Sequence, residues 1–170
     1  LIVHIADFAA ARHFGVLDER AEALAAAFWP GALSLVVPRR ADTGLSMLVS
    51  AGLDTVALRV PDHPVGQALL RAADRPIAAP SANRSNAVSP TTAAHVRDSL
   101  PAPENGGPAL ILDDGPCRVG IESTVVDCTT DTVTLLRPGG VSAEDITGVA
   151  GALAQGGENA SAPRSPGMLE

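Results

Sequence analysis

Short apolar runs typical of strands alternate with helix-like segments along most of the chain, and this alternation limits the possible folds most strongly. The predicted strands are 1–5, 33–37, 55–60, 77–79, 109–112, 123–128 and 132–137. Helices are predicted after caps at Asp18, Ser89 and Ser142, and over Val65 to Ala73. The turn 129–131 joins the last two strands into an antiparallel hairpin, which breaks a purely parallel pattern. The sequence therefore predicts an α/β fold with a twisted, open, mixed parallel and antiparallel sheet and flanking helices.

The pattern occupies residues 1–155, whereas 156–170 are rich in Gly, Ser, Ala, Pro and Asn. We therefore predict one domain over 1–155 and a linker or tail over 156–170. No run approaches the about 20 apolar residues of a membrane-spanning helix, and no signal peptide is recognisable. Cys117 and Cys128 show no metal-ligand spacing. We expect a cytoplasmic protein with no membrane partner.

The charge pattern favours discrete anion sites. All 12 basic residues are arginines, and they face 19 acidic residues, for a formal net charge of −7. This balance opposes broad non-specific binding to a nucleic-acid backbone, although a local patch could still contact RNA. Arginine forks favour planar, bidentate recognition of carboxylates and phosphates.

A dense cluster of small hydroxyl and amide side chains, 80–86, follows the predicted buried strand 77–79. Ligands of open α/β sheets bind outside strand ends, so the cluster is a candidate binding site. Ser89 as a helix cap, with Pro90 in the first turn, would point free N–H groups at a phosphate or carboxylate. Taken alone, the cluster fits a surface loop beside a capped helix equally well.

The usual catalytic motifs are missing from the sequence. Its histidines lack zinc-site spacing, 120–124 lacks the fifth glycine of a nucleophile elbow, and no lysine is present for a P-loop. Polar side chains at strand ends remain, namely Thr55, Arg59, Ser81, Asn83, Ser89, Ser123 and Arg137. None is a strong general base, so we assign no catalytic residue. Such a set suits a reaction that depends on orientation and electrostatic stabilisation.

Six motifs occur in a consistent order, namely 55–61, 79–85, 89–92, 112–116, 120–127 and 136–140. Jointly they resemble the YrdC-like threonylcarbamoyladenylate synthases, over roughly residues 1–155. The resemblance implies the YrdC-like fold and a nucleotidyltransferase that condenses L-threonine, bicarbonate and ATP to threonylcarbamoyl-AMP and pyrophosphate. The product would serve formation of N6-threonylcarbamoyladenosine at position 37 of tRNA.

The same resemblance implies roles for individual residues. Arg59 and Ser123 would hold L-threonine. Contacts to ATP or the adenylate would come from Thr55, Ser81, Asn83, Ser89 and Arg137, with Asn83 shaping the pocket. Mg²⁺ is expected with ATP. The downstream threonylcarbamoyl-transfer machinery and tRNA would be indirect partners, and binding of double-stranded RNA or tRNA is a further implication.

Two departures from the family pattern and one further resemblance carry expectations. The Lys-x-Arg motif that grips the triphosphate, which lies just upstream of a strand resembling 1–5, does not occur. We therefore expect a fragment that lacks the first strands and cannot form the adenylate efficiently. Ser165-Pro166-Gly167-Met168 resembles the start of a linker to a smaller C-terminal domain, so a two-domain parent is expected. Ala79 stands where some members place a hydroxyl near threonine.

A second function fits the same residues. A YrdC-like module could bind nucleotide or RNA without the full reaction, or serve as an accessory domain in a carbamoyltransferase of the hydrogenase-maturation type. Titration with threonine separates the two: raised ATP affinity indicates the synthase, whereas RNA binding without a threonine effect indicates the module.

Overall fold

The computed structural model describes residues 1–156, which form a seven-stranded sheet with five α-helices and two short 3₁₀ turns. The predicted tail, including Ser165-Pro166-Gly167-Met168, lies outside the described residues except for Gly156.

The sheet mixes parallel and antiparallel strands, as predicted. In chain order the strands are β1 (Ile2–His4), β2 (Leu33–Pro38), β3 (Thr55–Arg59), β4 (Ile77–Ala79), β5 (Thr124–Asp127), β6 (Val133–Arg137) and β7 (Leu153–Gln155). Their spatial order is β4-β1-β3-β2-β5-β6-β7. The pairs β1–β3, β2–β5 and β6–β7 are parallel, and the other three pairs are antiparallel. The predicted hairpin is the β5–β6 pair.

The helices are α1 (Phe8–Phe14), α2 (Glu19–Phe28), α3 (Pro64–Ala73), α4 (Ala93–Ser99) and α5 (Ala143–Ala150). Two of the predicted caps are confirmed. The side chain of Asp18 accepts a hydrogen bond from the N–H of Ala21, and Ser142 accepts one from Asp145. Each cap satisfies a free donor in the first turn and so fixes where α2 and α5 begin.

Three local predictions were wrong. Helix α4 begins after Thr92, whose hydroxyl accepts from the N–H of His95, so Ser89 is not its cap. Residues 109–112 form no strand. Strand β4 is not buried, since it pairs only with β1 at the sheet edge and its central residue, Ala78, is exposed. Helix α1 and strand β7 were not predicted.

The two faces of the sheet are covered unequally. One face builds the main core, in which Leu35, Leu58 and Val126 pack with residues of the helices, including Leu24 of α2 and Ile146 of α5. The other face carries a smaller buried cluster, Ile2, Val36, Ala57 and Val125, with Leu136 packed against it. Side chains alternate between faces along a strand, so polar residues in phase with the smaller cluster project on its side.

Candidate active site

A cleft of about 430 Å³ opens on the less covered face of the sheet. Its lining combines strand ends with the segments 79–91 and 117–123. The lining residues are Leu1, Ile2, His4, Arg59, Ala79, Pro80, Ser81, Ser89, Pro90, Thr91, Cys117, Gly120, Ile121, Glu122, Ser123 and Arg137. We call His4, Arg59, Ser123 and Arg137 the strand-end wall, and residues 79–91 the loop wall.

Strand register brings the strand-end wall together. His4 of β1 pairs with Arg59 of β3, and Val125 of β5 pairs with Arg137 of β6. Ser123 lies two residues before Val125. Because side chains two residues apart share a face, these polar groups form a row along one end of the sheet. The register of β5 and β6 shifts between Val125 and Val126, so strand pairing and this irregularity together bring residues that are distant in sequence to one place.

A hydrogen-bond network fixes the centre of this row. The Arg137 guanidinium donates from Nε and Nη2 to the carbonyl of Ser123, at 3.2 and 2.9 Å. Nη2 also lies 3.1 Å from the Ser123 Oγ, and that oxygen is 2.8 Å from the Oγ of Ser34. Ser34 and Ser123 are both buried. Buried hydroxyls with satisfied partners have one preferred orientation, so Ser123 is presented to the cleft in a defined position.

Arg59 is held less completely. Its Nε donates to the carbonyl of Gly31 at 2.9 Å, and within residues 1–156 its two terminal nitrogens make no hydrogen bond or ion pair. Burial lowers the pKa of Arg59, while the charge of Asp62 acts against this and that of Arg137 acts with it. An anchored guanidinium with free terminal donors is suited to bind a carboxylate through two parallel hydrogen bonds, which both oxygens of the carboxylate accept.

His4 was not identified from the sequence. Burial lowers its pKa from 6.5 to about 4, the positive charge of Arg59 acts in the same direction, and a hydrogen bond to the backbone of Ile2 acts against both. The imidazole is therefore neutral at neutral pH. A signal was present: His4 is the polar residue in the otherwise apolar run 1–5, in phase with Ile2.

Glu122 was not assigned a role either. One carboxylate oxygen lies 2.5 Å from Nη1 of Arg137, and the other accepts a hydrogen bond from the Ser89 hydroxyl at 2.8 Å. Glu122 therefore joins the strand-end wall to the loop wall. Its position directly before Ser123 was the available signal, because Glu122 precedes the first residue of β5 and its side chain need not follow the alternation along a strand.

Five of the seven predicted site residues line the cleft: Arg59, Ser123 and Arg137 on one wall, and Ser81 and Ser89 on the other. The structure places the other two elsewhere. Thr55 pairs with Pro38 at the far end of β3 from Arg59. Asn83 belongs to the loop wall but does not line the cleft, and its Nδ2 donates to the carbonyls of Arg84 and Ala87 at 3.0 and 2.7 Å.

The described residues limit some other kinds of site. Within 1–156, no group of three or more His, Cys, Asp or Glu side chains could hold a metal ion. No helix in this part of the chain has both the length and the apolar character needed to cross a membrane. Cys117 is exposed at the cleft, and Cys128 is buried, which raises its pKa to about 12.

The fold and the cleft define an α/β domain that gathers arginine and hydroxyl donors in one cleft. Comparison with known proteins gives its family. The Sua5/YciO/YrdC family model, described as Telomere recombination, matches residues 1–139. The chain belongs to this family.

Individual relatives extend the comparison. The chain is 49% identical over 154 residues to a threonylcarbamoyl-AMP synthase of Bacillus subtilis, which covers 90% of the chain and 43% of that protein. It is 42% identical over 173 residues to the synthase of Pyrococcus abyssi, covering 99% of the chain and 49% of the relative. The crystal structure of P. abyssi Sua5 complexed with L-threonine superposes with a TM-score of 0.91 at 40% identity, covering 100% of the chain and 50% of that structure. The chain thus spans about half the length of these relatives.

Proposed function

We propose that this chain forms the adenylate-forming domain of an L-threonylcarbamoyladenylate synthase, which condenses L-threonine, bicarbonate and ATP to threonylcarbamoyl-AMP and pyrophosphate. The observation that carries the proposal is the convergence of Arg59, Ser123 and Arg137 with Ser81 and Ser89 in one cleft. Relatives at 49% and 42% identity named threonylcarbamoyl-AMP synthase support it.

The amino-acid end of the site is proposed at Arg59 and Ser123. The free terminal nitrogens of Arg59 would receive the threonine carboxylate in a charge-assisted, two-point contact. Ser123 would add a hydroxyl whose position is set by Ser34 and Arg137. His4, neutral and paired in register with Arg59, lies on the same side and would contact the amino acid without adding charge.

The nucleotide end is proposed at Ser81, Ser89 and Arg137, where hydroxyls of the loop wall face a strand-end arginine. Asn83 would act within the loop wall, where its bonds to Arg84 and Ala87 would hold the loop in shape. Thr55 lies four residues along β3 from Arg59, a separation of about 13 Å. It would contact only a far extension of the nucleotide.

Mg²⁺ is expected to accompany ATP. Within residues 1–156, the acidic residue of the cleft lining is Glu122, which is engaged by Arg137 and Ser89. These residues do not form a preformed magnesium cage, because such cages need several oxygen ligands. The ion would enter bound to the nucleotide's phosphates, and no step is assigned to it.

Catalysis in this cleft would come from orientation and fixed charge. The wall provides bound donors rather than a general base, and pre-oriented donors avoid reorganisation at the moment of reaction. Holding the threonine carboxylate on Arg59 would direct the rest of the amino acid toward the nucleotide. The product would be consumed by a downstream transfer to tRNA, which makes tRNA an indirect partner, and we propose a cytoplasmic location accordingly.

The proposal is tested by pyrophosphate release from ATP on the full chain. The expected result is slow release, because the Lys-x-Arg motif does not occur in the chain. That release should require both threonine and bicarbonate, and it should be lost in Arg59→Ala but not in the exposed control Arg97→Ala of α4. Release that ignores threonine would contradict the proposal. RNA binding without mutual strengthening of ATP and threonine binding would favour a binding module instead.

A further inference from the structure

Glu122 bridges the two walls of the cleft with one carboxylate. Its oxygens are divided between Arg137 Nη1 at 2.5 Å and the Ser89 hydroxyl at 2.8 Å. Of the described residues that line the cleft, it alone is acidic. An acidic side chain beside a site for ATP is unfavourable unless it serves another purpose, because like charges repel at short range.

The backbone of Glu122 is held in place by the turn at Gly139 and Gly140. Its carbonyl accepts from the N–H of Gly140 at 3.0 Å, and Gly139 approaches so closely that a Cβ there would lie 2.4 Å from the same oxygen. Two residues later, the Thr124 hydroxyl donates to the carbonyl of Val141 at 2.7 Å and accepts from its N–H at 3.0 Å. Because the backbone of Glu122 is fixed, its carboxylate can set the orientation of Arg137 and Ser89.

Resting on the proposed function, we propose that Glu122 is a positioning residue that gives the two cleft arginines different tasks and sets the hydrogen-bond direction of Ser89. Its charge neutralises Arg137, whose other donors already bind Ser123. Arg59 has no ion pair within residues 1–156. The amino-acid carboxylate is therefore directed to Arg59, and Arg137 is kept from competing for it.

The direction of the Ser89 hydrogen bond specifies the part of the nucleotide it meets. A serine hydroxyl has one proton, and here that proton is donated to Glu122. The oxygen can then only accept from a ligand. Ser89 thus recognises a donor group of the nucleoside, such as a ribose hydroxyl or an exocyclic amine, rather than a phosphate oxygen.

The Glu122→Gln variant tests this with little change in shape. Its amide can satisfy Arg137 with oxygen and Ser89 with nitrogen, which reverses the Ser89 hydrogen bond and removes the charge. We expect about tenfold weaker ATP binding by calorimetry, while threonine affinity changes less than twofold. Glu104→Gln, at an exposed glutamate of the Pro103–Asn105 turn, is the matched control and should change neither affinity.

A double-mutant cycle separates positioning from a merely structural role. If Glu122 acts through Ser89, then Ser89→Ala and the double variant should each weaken ATP binding about as much as Glu122→Gln, rather than multiplying its effect. Multiplying effects, or unchanged ATP affinity in Glu122→Gln, would overturn the inference. If Glu122→Gln does not fold, as judged by its circular dichroism spectrum, Glu122→Asp replaces it. The aspartate side chain is too short to reach both Arg137 and Ser89, so this variant should also weaken ATP binding.

A ligand-free measurement keeps this inference distinct from the proposed function. The ¹⁵N side-chain resonance of Arg137 Nε, identified by its absence in Arg137→Lys, should shift in Glu122→Gln and not in Glu104→Gln. An unshifted resonance would refute the positioning of Arg137 even where ATP binds normally. If the wild-type chain binds neither ATP nor threonine, the proposed function fails, and the resonance still decides whether Glu122 positions Arg137.

Discussion

The two walls of the cleft are held in different ways. The strand-end wall is built on paired strands, and its Ser123 is buried and bonded to Ser34 and Arg137. The loop wall carries an exposed Ser81, and its loop is held by short-range bonds of Asn83 and by Arg84, which binds Ser99 of α4. One wall is therefore preformed with the sheet, whereas the other depends on local contacts. We infer that the proposed amino-acid end is rigid, and that the part of the proposed nucleotide end on the loop wall can adjust.

The largest expected effect tests the rigidity of the strand-end wall. Gly139→Ala would place a Cβ 2.4 Å from the Glu122 carbonyl oxygen and the Thr124 nitrogen, and that nitrogen is fixed because its N–H donates to the Ala32 carbonyl at 2.9 Å. We expect the free energy of unfolding to fall by about 3 kcal/mol in urea titration. Gly148→Ala, in open space on α5, should instead stabilise by about 0.5–1 kcal/mol. If Gly139→Ala lowered the free energy of unfolding by less than about 1 kcal/mol, the backbone of the strand-end wall would not be rigid.

The second prediction concerns ligand binding on the same wall. Arg59→Ala should weaken threonine binding about 100-fold, because removing one partner of a charge-assisted hydrogen bond in a partly buried site costs roughly 3 kcal/mol. Arg59→Lys should recover only part of this, since a lysine lacks the bidentate fork. Calorimetry measures both, with Arg97→Ala as the control. Equal threonine affinity in wild type and Arg59→Ala would show that threonine does not bind at the strand-end wall.

The strand-end wall could largely be predicted from the sequence. Arg59, Ser123 and Arg137 were identified because each stands at the end of an apolar run, and strand ends meet at one edge of a sheet. The mixed sheet followed from the hairpin. The position of His4 could not be predicted in this way. His4 belongs to the site because it pairs with Arg59, and the sequence of one strand does not specify its register with a partner strand.

The loop wall could be predicted only in part. Ser89 has the residue type and the following proline of a cap, but Thr92 takes that role, and Ser89 instead bonds Glu122, which lies 33 residues later. Local propensity could not reveal a partner so far along the chain. The apolar run 109–112 likewise fits a strand locally, yet it gains no pairing partner and Leu110 stays exposed. In segments that pair with no strand, local sequence propensity is a poor guide to the structure that forms.

A third prediction uses the low pKa of His4. Between pH 6.5 and about 4 the unfolded chain binds a proton at this histidine and the folded chain does not. The free energy of unfolding should therefore fall with decreasing pH, by up to about 1.4 kcal/mol per unit from this group. His4→Gln should flatten the decline in urea titrations across this range. An unaltered slope in His4→Gln would argue against a buried neutral imidazole.

The smallest effect on stability is expected in the loop wall. Asn83→Ala removes the donors to the carbonyls of Arg84 and Ala87, which lie in exposed positions where water can replace them. The free energy of unfolding should therefore change by no more than about 0.5 kcal/mol. ATP binding should weaken several-fold and amide exchange in 84–89 should accelerate, because the loop loses its shape without the sheet being disturbed. Asn105→Ala, in the exposed turn beyond α4, is the control for both measurements. A loss as large as that at Gly139 would mean that the loop is part of the rigid wall, and the distinction between the two walls would then fail.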